Sequence, residues 1–418
     1  MSERTGLWGH ADFRRLWAAQ AISAFGARIT RTALPIIAVN SLGVPEALFA
    51  TLIALQLAPA VVFASFAGGF VDRSRKRRIL IAADLFRAAV VASLTIAWLF
   101  GVLSVGQLIT VGALVATASA LFQITDIAYL PLLIGRTQLA DGNAKLEMTE
   151  AFAEVTGPAS AGLLIAALGA PLAVIFNVAS YLWSAVQLGR IRTPEVVPEP
   201  QPDETASLGR QSWKDLVVGM RLIFGHAQVR PIVLAFMVWS VAGGFFSALY
   251  PMYCLRELGL SEATFGIVIA MGGVGSLGGA LISRRLAHTI GVGSTLIVTS
   301  TLSLAAGLFI PLAGGSRATV LAFLSAHQLL GDGFSVAFVI QAVTLRQTVL
   351  PKHLLGRANA AFLICTAGIL PVAALVAGAI GGLTTVRAAV WIGVLFGLLA
   401  PLFLVPLRKL REMPSPVG

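Results

Sequence analysis

Charge is scarce in this chain. Of 418 residues only 12% are Asp, Glu, Lys or Arg, about half the ~25% of a soluble domain. Hydrophobic residues make up 57% and the mean hydropathy is +0.86. A water-soluble fold of that composition would leave too much apolar surface wet, which excludes an ordinary soluble domain. Cysteine is equally sparse. Cys254 and Cys365 lie far apart, each in an apolar stretch, and read as small core hydrophobes rather than as a disulfide or metal site. The five histidines are scattered, so no metal cluster and no catalytic constellation is expected. No phosphate-cradling Walker loop is present, which excludes direct drive by ATP. No cofactor and no enzymatic activity are therefore expected. A cleavable leader is not expected either: MSERTGLWGHADFRRLW is polar, and the apolar stretch behind it is too long for a signal core.

Long apolar runs dominate what is there. A spanning helix needs roughly 20 apolar residues, and twelve such runs can be drawn, at about 13–40, 46–70, 79–101, 106–134, 148–168, 171–189, 229–255, 262–283, 292–313, 318–345, 357–383 and 386–407. Only helices and closed barrels satisfy their backbone in lipid. Runs of this length, rich in Leu, Ala and Gly without strict alternation, predict helices. The expected fold class is all-α integral membrane, with twelve transmembrane helices.

The cations are placed asymmetrically. GGFVDRSRKRRIL, at 68–80, puts one acid and five cations between two apolar runs. When loops are assigned alternately to two sides, 24 of the 30 Lys and Arg fall on the side of the termini. Three fall on the other side (Arg256, Arg317, Arg387) and three inside spans (Arg28, Arg31, Arg87). Such a bias predicts cytoplasmic termini. It also excludes nucleic acid as the partner of the +11 net charge, because the cations are spread over seven separate segments.

The longest polar stretch, residues 190–215, is rich in Pro and Glu and reads as a linker. The next segment, SWKDLVVGMRLIFGH, is amphipathic and is expected on the membrane surface. The domain expectation is thus 1–189 as one six-helix half, 190–228 as linker and surface helix, and 229–418 as the second half. The halves repeat one another. LPIIAVNSLGVPEALF (34–49) aligns with YPMYCLRELGLSEATF (250–265) at an offset of 216, and Asn143-Ala144 with Asn359-Ala360 at the same offset. GGALISRRL (278–286) is a faded copy of the basic motif, with Ser283 where Asp72 stands. Two pseudo-symmetric six-helix halves joined by a linker are the architecture of a rocking transporter with a central cavity.

With these motifs the chain resembles the major facilitator superfamily. Gly68, Asp72, Arg73, Arg77 and Arg78 resemble its signature between spans 2 and 3. FRRLWAAQAISAFGARITRTALP, IAADLFRA, TDIAYLPLLIG, VTGPASAGLL and LRQTVLPKHLLGRANA are similar to the bacterial branch of enterobactin and macrolide exporters. The pattern departs at Arg75, where the superfamily often has Gly, and at Ser283, where the acid is lost. The antiporter motif of span 5 is reduced to Gly157-Pro158 and Gly162. The resemblance implies a monomeric secondary transporter of the bacterial inner membrane, moving an amphipathic small molecule against protons. A proton-linked importer and a non-transporting membrane sensor are the alternatives. It further implies that Gly68, Asp72, Arg73 and Arg77 form a cytoplasmic gate, supported by Asp84 and Arg87, and that Gly157-Pro158 bends span 5 against the Gly-rich 271–280 of span 8.

Charges inside spans are the other candidates. A charge at membrane depth costs about 3 kcal/mol or more and rarely faces lipid. Arg28 and Arg31, one turn apart in span 1, therefore either meet a substrate or are neutralised by buried acids. Asp126, then Glu154 and Asp332, are the candidate proton carriers. The depths of Asp126 and Glu154 allow both to share a pocket with the arginines. Glu147 and Glu150 are expected at the start of span 5, where negative charge is favoured. Gln123, Gln341 and Gln347 are candidate polar contacts, of which Gln123 and Gln341 are placed on the cavity. His327, five residues before Asp332, is a candidate relay partner.

Overall fold

The computed structural model describes residues 7–72, 74–135, 138–195, 208–351 and 354–413. Among them every regular element is helical: α1 (Ala11–Ile36), α2 (Glu46–Asp72), α3 (Lys76–Leu99), α4 (Val105–Ile134), α5 (Leu139–Leu168), α6 (Ala170–Gly189), α7 (Leu208–Gly225), α8 (Val229–Met252) and α9 (Glu262–Ile290). Then follow α10 (Val292–Ala306), α11 (Phe309–Leu312), α12 (Arg317–Ala326), α13 (Gly333–Val349), α14 (Leu355–Ala367), α15 (Ile369–Leu383), α16 (Val386–Gly397) and α17 (Ala400–Leu404). Eleven helical stretches are long and apolar enough to cross a bilayer, and α2 adds the shorter described stretch Glu46–Pro59. Together they make the twelve-span helical fold expected from the sequence.

Several spans are longer or more broken than hydropathy indicates. The fifth starts at Leu139, not near 148, because its first turns are polar and helical at once; Lys145 and Asp141 pair at 2.5 Å across one turn. The tenth is interrupted by a π-helical turn, His327–Asp332, between α12 and α13. The eleventh breaks between α14 and α15.

By internal contacts the chain forms two units. One comprises Met1–Leu42 and Val62–Leu208, the other Gly43–Val61 and Gly209–Gly418. The repeat is visible within each. α1 ends at Ile36 and α8 at Met252, 216 residues on; each runs into a π-helical turn, Ile37–Ser41 and Tyr253–Glu257. The amides of Leu42 and Leu258 close these turns onto Ile37 and Tyr253 at 3.0 and 2.9 Å. Gly43 and Gly259 follow at φ 59° and 61°, a left-handed backbone that a residue with Cβ adopts only under strain. The same offset relates the starts of α2 and α9, α3 and α10, α5 and α14, and α6 and α16.

The second unit includes the start of α2. Arg256 bonds the Val44 carbonyl at 3.0 Å and Glu46 at 3.4 Å. A Cβ on Gly378 would lie 2.2 Å from Ala50, so this glycine is what lets α2 seat on α15. The amphipathic α7 belongs to the same unit. Asp215 pairs with Arg357 at 2.9 Å, and Leu216, Met220, Leu222 and Phe224 pack on the unit's core.

Candidate functional site

In the first unit, α1 and α5 run side by side. Trp17 donates to Thr149 at 2.9 Å, and a Cβ on Gly157 would come within 2.8 Å of the Arg28 side chain. Gly157 thus makes room for the stem of Arg28. The arginines of α1 meet acids of α5. Arg28 reaches Glu154 at 2.6 Å and Glu150 at 2.9 Å, and Arg31 reaches Glu154 at 2.5 Å. Arg28 and Arg31 are three residues apart and Glu150 and Glu154 four, so each pair occupies one helix face. The side chain of Arg28 is 13% exposed, while those of Arg31, Glu154 and Glu150 are 54%, 42% and 50% exposed.

Glu150 is therefore a member of the cluster and not a helix-start charge, because α5 begins eleven residues before it. Asp126 does not join these groups. It accepts from Gln20 of α1 at 2.5 Å, and among the described residues it makes no ion pair. Gln20 was not singled out in the sequence; its position two turns before Arg28 on α1 was the available signal. Gln123 is exposed.

Asp84 and Arg87 form a buried pair within α3. The Arg87 guanidinium lies 4.4 Å from the ring centres of both Phe122 and Tyr181 and donates to Ser119 at 3.2 Å. Two ring faces and a carboxylate compensate its desolvation. Arg73, and the side chains of Gly68 and Asp72, lie outside the described residues. Arg77 is described: its side chain bonds the Ile191 carbonyl, and its amide and that of Lys76 meet the Glu195 carboxylate. Asp12 takes the amides of Arg192 and Thr193 at 3.1 and 2.9 Å. Residues 190–195, expected as free linker, are thus tied across the basic end of this unit by two carboxylates.

In the second unit a cavity of about 150 Å³ is lined by α8, α10, the π-helical turn and α16. His327 and Asp332 both face it. A π-helical turn sets residues five apart nearly above one another, which is how the two come to one wall. A Cβ on Gly272 would lie 2.1 Å from the Asp332 carboxylate, and Gly275 and Gly279 of α9 abut the carbonyls of Leu329 and Gly333. The glycine stripe of span 8 is used here to receive span 10. Gln341 is buried and donates to the Ser283 carbonyl and hydroxyl at 3.2 and 3.0 Å. It fastens α13 to α9 instead of lining a cavity wall. Gln347 is exposed. Gly162 and Pro158 are buried within α5. No group of three metal-ligating side chains occurs among the described residues.

A multi-span helical bundle with paired charges at membrane depth and an internal sequence repeat defines the class of secondary transporters. A family model, the Major Facilitator Superfamily, matches residues 16–370, and the chain belongs to that superfamily. It is 30% identical over 300 residues to the enterobactin exporter EntS of Escherichia coli O127:H6, covering 70% of this chain and 67% of that protein. Two solved structures share the fold. A bacterial homologue of the iron transporter ferroportin in its inward-facing state superposes with a TM-score of 0.72 at 17% identity, covering 95% of this chain and 98% of that one. The nucleoside transporter NupG does so at 0.74 and 11% identity, covering 95% and 99%. The protein is thus a multi-pass membrane transporter and not an enzyme.

Proposed function

We propose that this transporter exports an amphipathic small molecule, of the drug, antibiotic or siderophore kind, in exchange for protons. The observation that carries the reading is the ion-paired cluster of α1 and α5, with the separate Gln20–Asp126 pair of α1 and α4. Its charges sit well inside the spans: Arg28 is seventeen residues into α1, about 26 Å along the axis at ~1.5 Å per residue. Half-exposed charge at such depth faces a water-filled cavity and not lipid. Glu154 is held by two guanidinium groups. Protonating it would leave Arg31 without its carboxylate and Arg28 with Glu150 alone. Asp126 has a neutral amide partner and can be neutralised without leaving a cation unpaired, so it is the coupling acid in this reading. The direction of transport is taken from the relative named as an exporter.

The remaining parts follow the same scheme. Both termini lie in the cytoplasm of a bacterium, the membrane is the inner one, and the working unit is a monomer of two six-helix halves. Gly68, Asp72 and Arg73 latch the cytoplasmic side while the cavity faces outwards. Asp72→Asn is expected to lose most transport while inserting normally, since the neighbouring cations still set topology. Membrane fractionation alongside efflux checks both parts.

The test is efflux of a panel of dyes, macrolides and siderophores from cells, with and without a proton uncoupler. Efflux of a panel member that stops with the uncoupler is the expected result. Accumulation in place of efflux would replace this reading with the proton-linked importer.

A further inference from the structure

The 216-residue offset pairs Arg87 of α3 with Ser303 of α10, Ser119 with Ser335, and Phe122 with Phe338. In the first unit Arg87 fills the space between Ser119, Phe122 and Tyr181, with Asp84 as its carboxylate. In the second unit the matched positions of Asp84, Arg87 and Tyr181 are Ser300, Ser303 and Gly397. The arginine is absent and a cavity of about 150 Å³ lies beside Ser303 and Ser335.

The cavity offers a carboxylate and rings of its own, with Ser335 in the matched place of Ser119. Asp332 is the one charged side chain among its lining residues, and no Lys or Arg is among them. Its rings are fixed in place. Trp239 stacks on Phe338 with centres 5.1 Å apart, and Phe246 stacks on Tyr250 at 4.5 Å. Two polar side chains of the wall have defined bonds. The Nδ1 of His327 lies 3.1 Å from the Ala306 carbonyl; a carbonyl only accepts, so Nδ1 carries the proton. Ser303 gives its hydroxyl proton to the Gly331 carbonyl at 2.7 Å, which leaves its lone pairs. Aromatic faces, a carboxylate and a hydroxyl oxygen recognise an organic cation. A space of this size holds about one six-membered ring.

We infer that this cavity is a binding site for a small planar organic cation, a guanidinium or amidinium group, which takes in the second unit the place of the Arg87 side chain in the first. The site stands apart from the direction and coupling of transport proposed above.

Binding to the purified full-length protein in lipid nanodiscs, read by calorimetry, tests this without any transport step. The probes are benzamidine and its neutral isostere benzamide. Benzamidine is expected to bind at least tenfold more tightly than benzamide. Asp332→Asn is expected to bring benzamidine down to the level of benzamide, and Ser303→Arg to abolish its binding while the protein stays folded. Equal affinities for the two probes in the wild-type protein, or no binding of benzamidine, overturn the proposal even if both variants fail to fold. Undiminished binding to Asp332→Asn overturns it as well.

Discussion

The two units share a backbone plan and differ in where they keep charge. Both end their first span in a π-helical turn followed by a left-handed glycine, Gly43 and Gly259. Yet the first unit carries Arg28, Arg31, Asp84, Arg87, Asp126, Glu150 and Glu154 inside its spans, whereas the second has Asp332 at mid-span beside an aromatic-walled cavity and the buried Arg346 of α13 stacked 3.9 Å over Phe362. Where the first has the Asp84–Arg87 pair, the second has Ser300 and Ser303. Buried charge needs compensation: at these positions the first unit pairs Asp84 with Arg87, and the second has small hydroxyls that need none. The difference teaches that a repeat can preserve helix ends and turns while the side chains at matched positions divide into ion pairing on one side and ring-lined space on the other.

Breaking the first unit's pairing is expected to have the largest effect. Arg87→Ala leaves Asp84 buried, and removing one partner of a buried pair costs about 3–5 kcal/mol; the matched Ser303→Ala loses one hydrogen bond, about 1 kcal/mol. Thermal unfolding in detergent should show the first variant melting far below the second. Similar melting temperatures would erase the contrast between the units. Glu154→Gln comes next. It strips Arg28 and Arg31 of their shared carboxylate, but its side chain is 42% exposed, so the cost falls below the ~3–5 kcal/mol of a dry pair. Insertion should persist while transport drops by more than about tenfold, roughly 1.4 kcal/mol in the barrier. The smallest expected effect sharpens the comparison from the other side. Gln341→Ala removes two hydrogen bonds to Ser283, about 1–2 kcal/mol of stability, and should leave substrate affinity unchanged, because Gln341 joins helices. A changed affinity with an unchanged melting temperature would return Gln341 to the cavity wall.

Much of this was legible in the sequence. Apolar run length indicated the twelve spans, and the 34–49 and 250–265 alignment marked the repeat whose two copies both end in a π-helical turn, a turn type the sequence did not announce. Arg28, Arg31 and Glu154 stood out because charge is costly in lipid. Partner choice was not legible. Hydropathy hid the polar first turns of α5, so Glu150 was read as a helix-start charge. Depth alone could not tell that Asp126 meets Gln20 and not the arginines. The π-helical turn that aligns His327 with Asp332 has no composition signal. The exchange of Arg87 for Ser303 was visible in principle, since it needed only the same offset carried from the first span pair to the third.

The central claim, that the first unit's Asp126 couples transport to protons, is tested most directly in proteoliposomes holding Asp126→Asn. Two rates are compared with wild type: efflux driven by a pH gradient, and exchange of substrate for substrate without a gradient. The account predicts that exchange survives and gradient-driven efflux is lost. Gradient-driven efflux at the wild-type rate would contradict it.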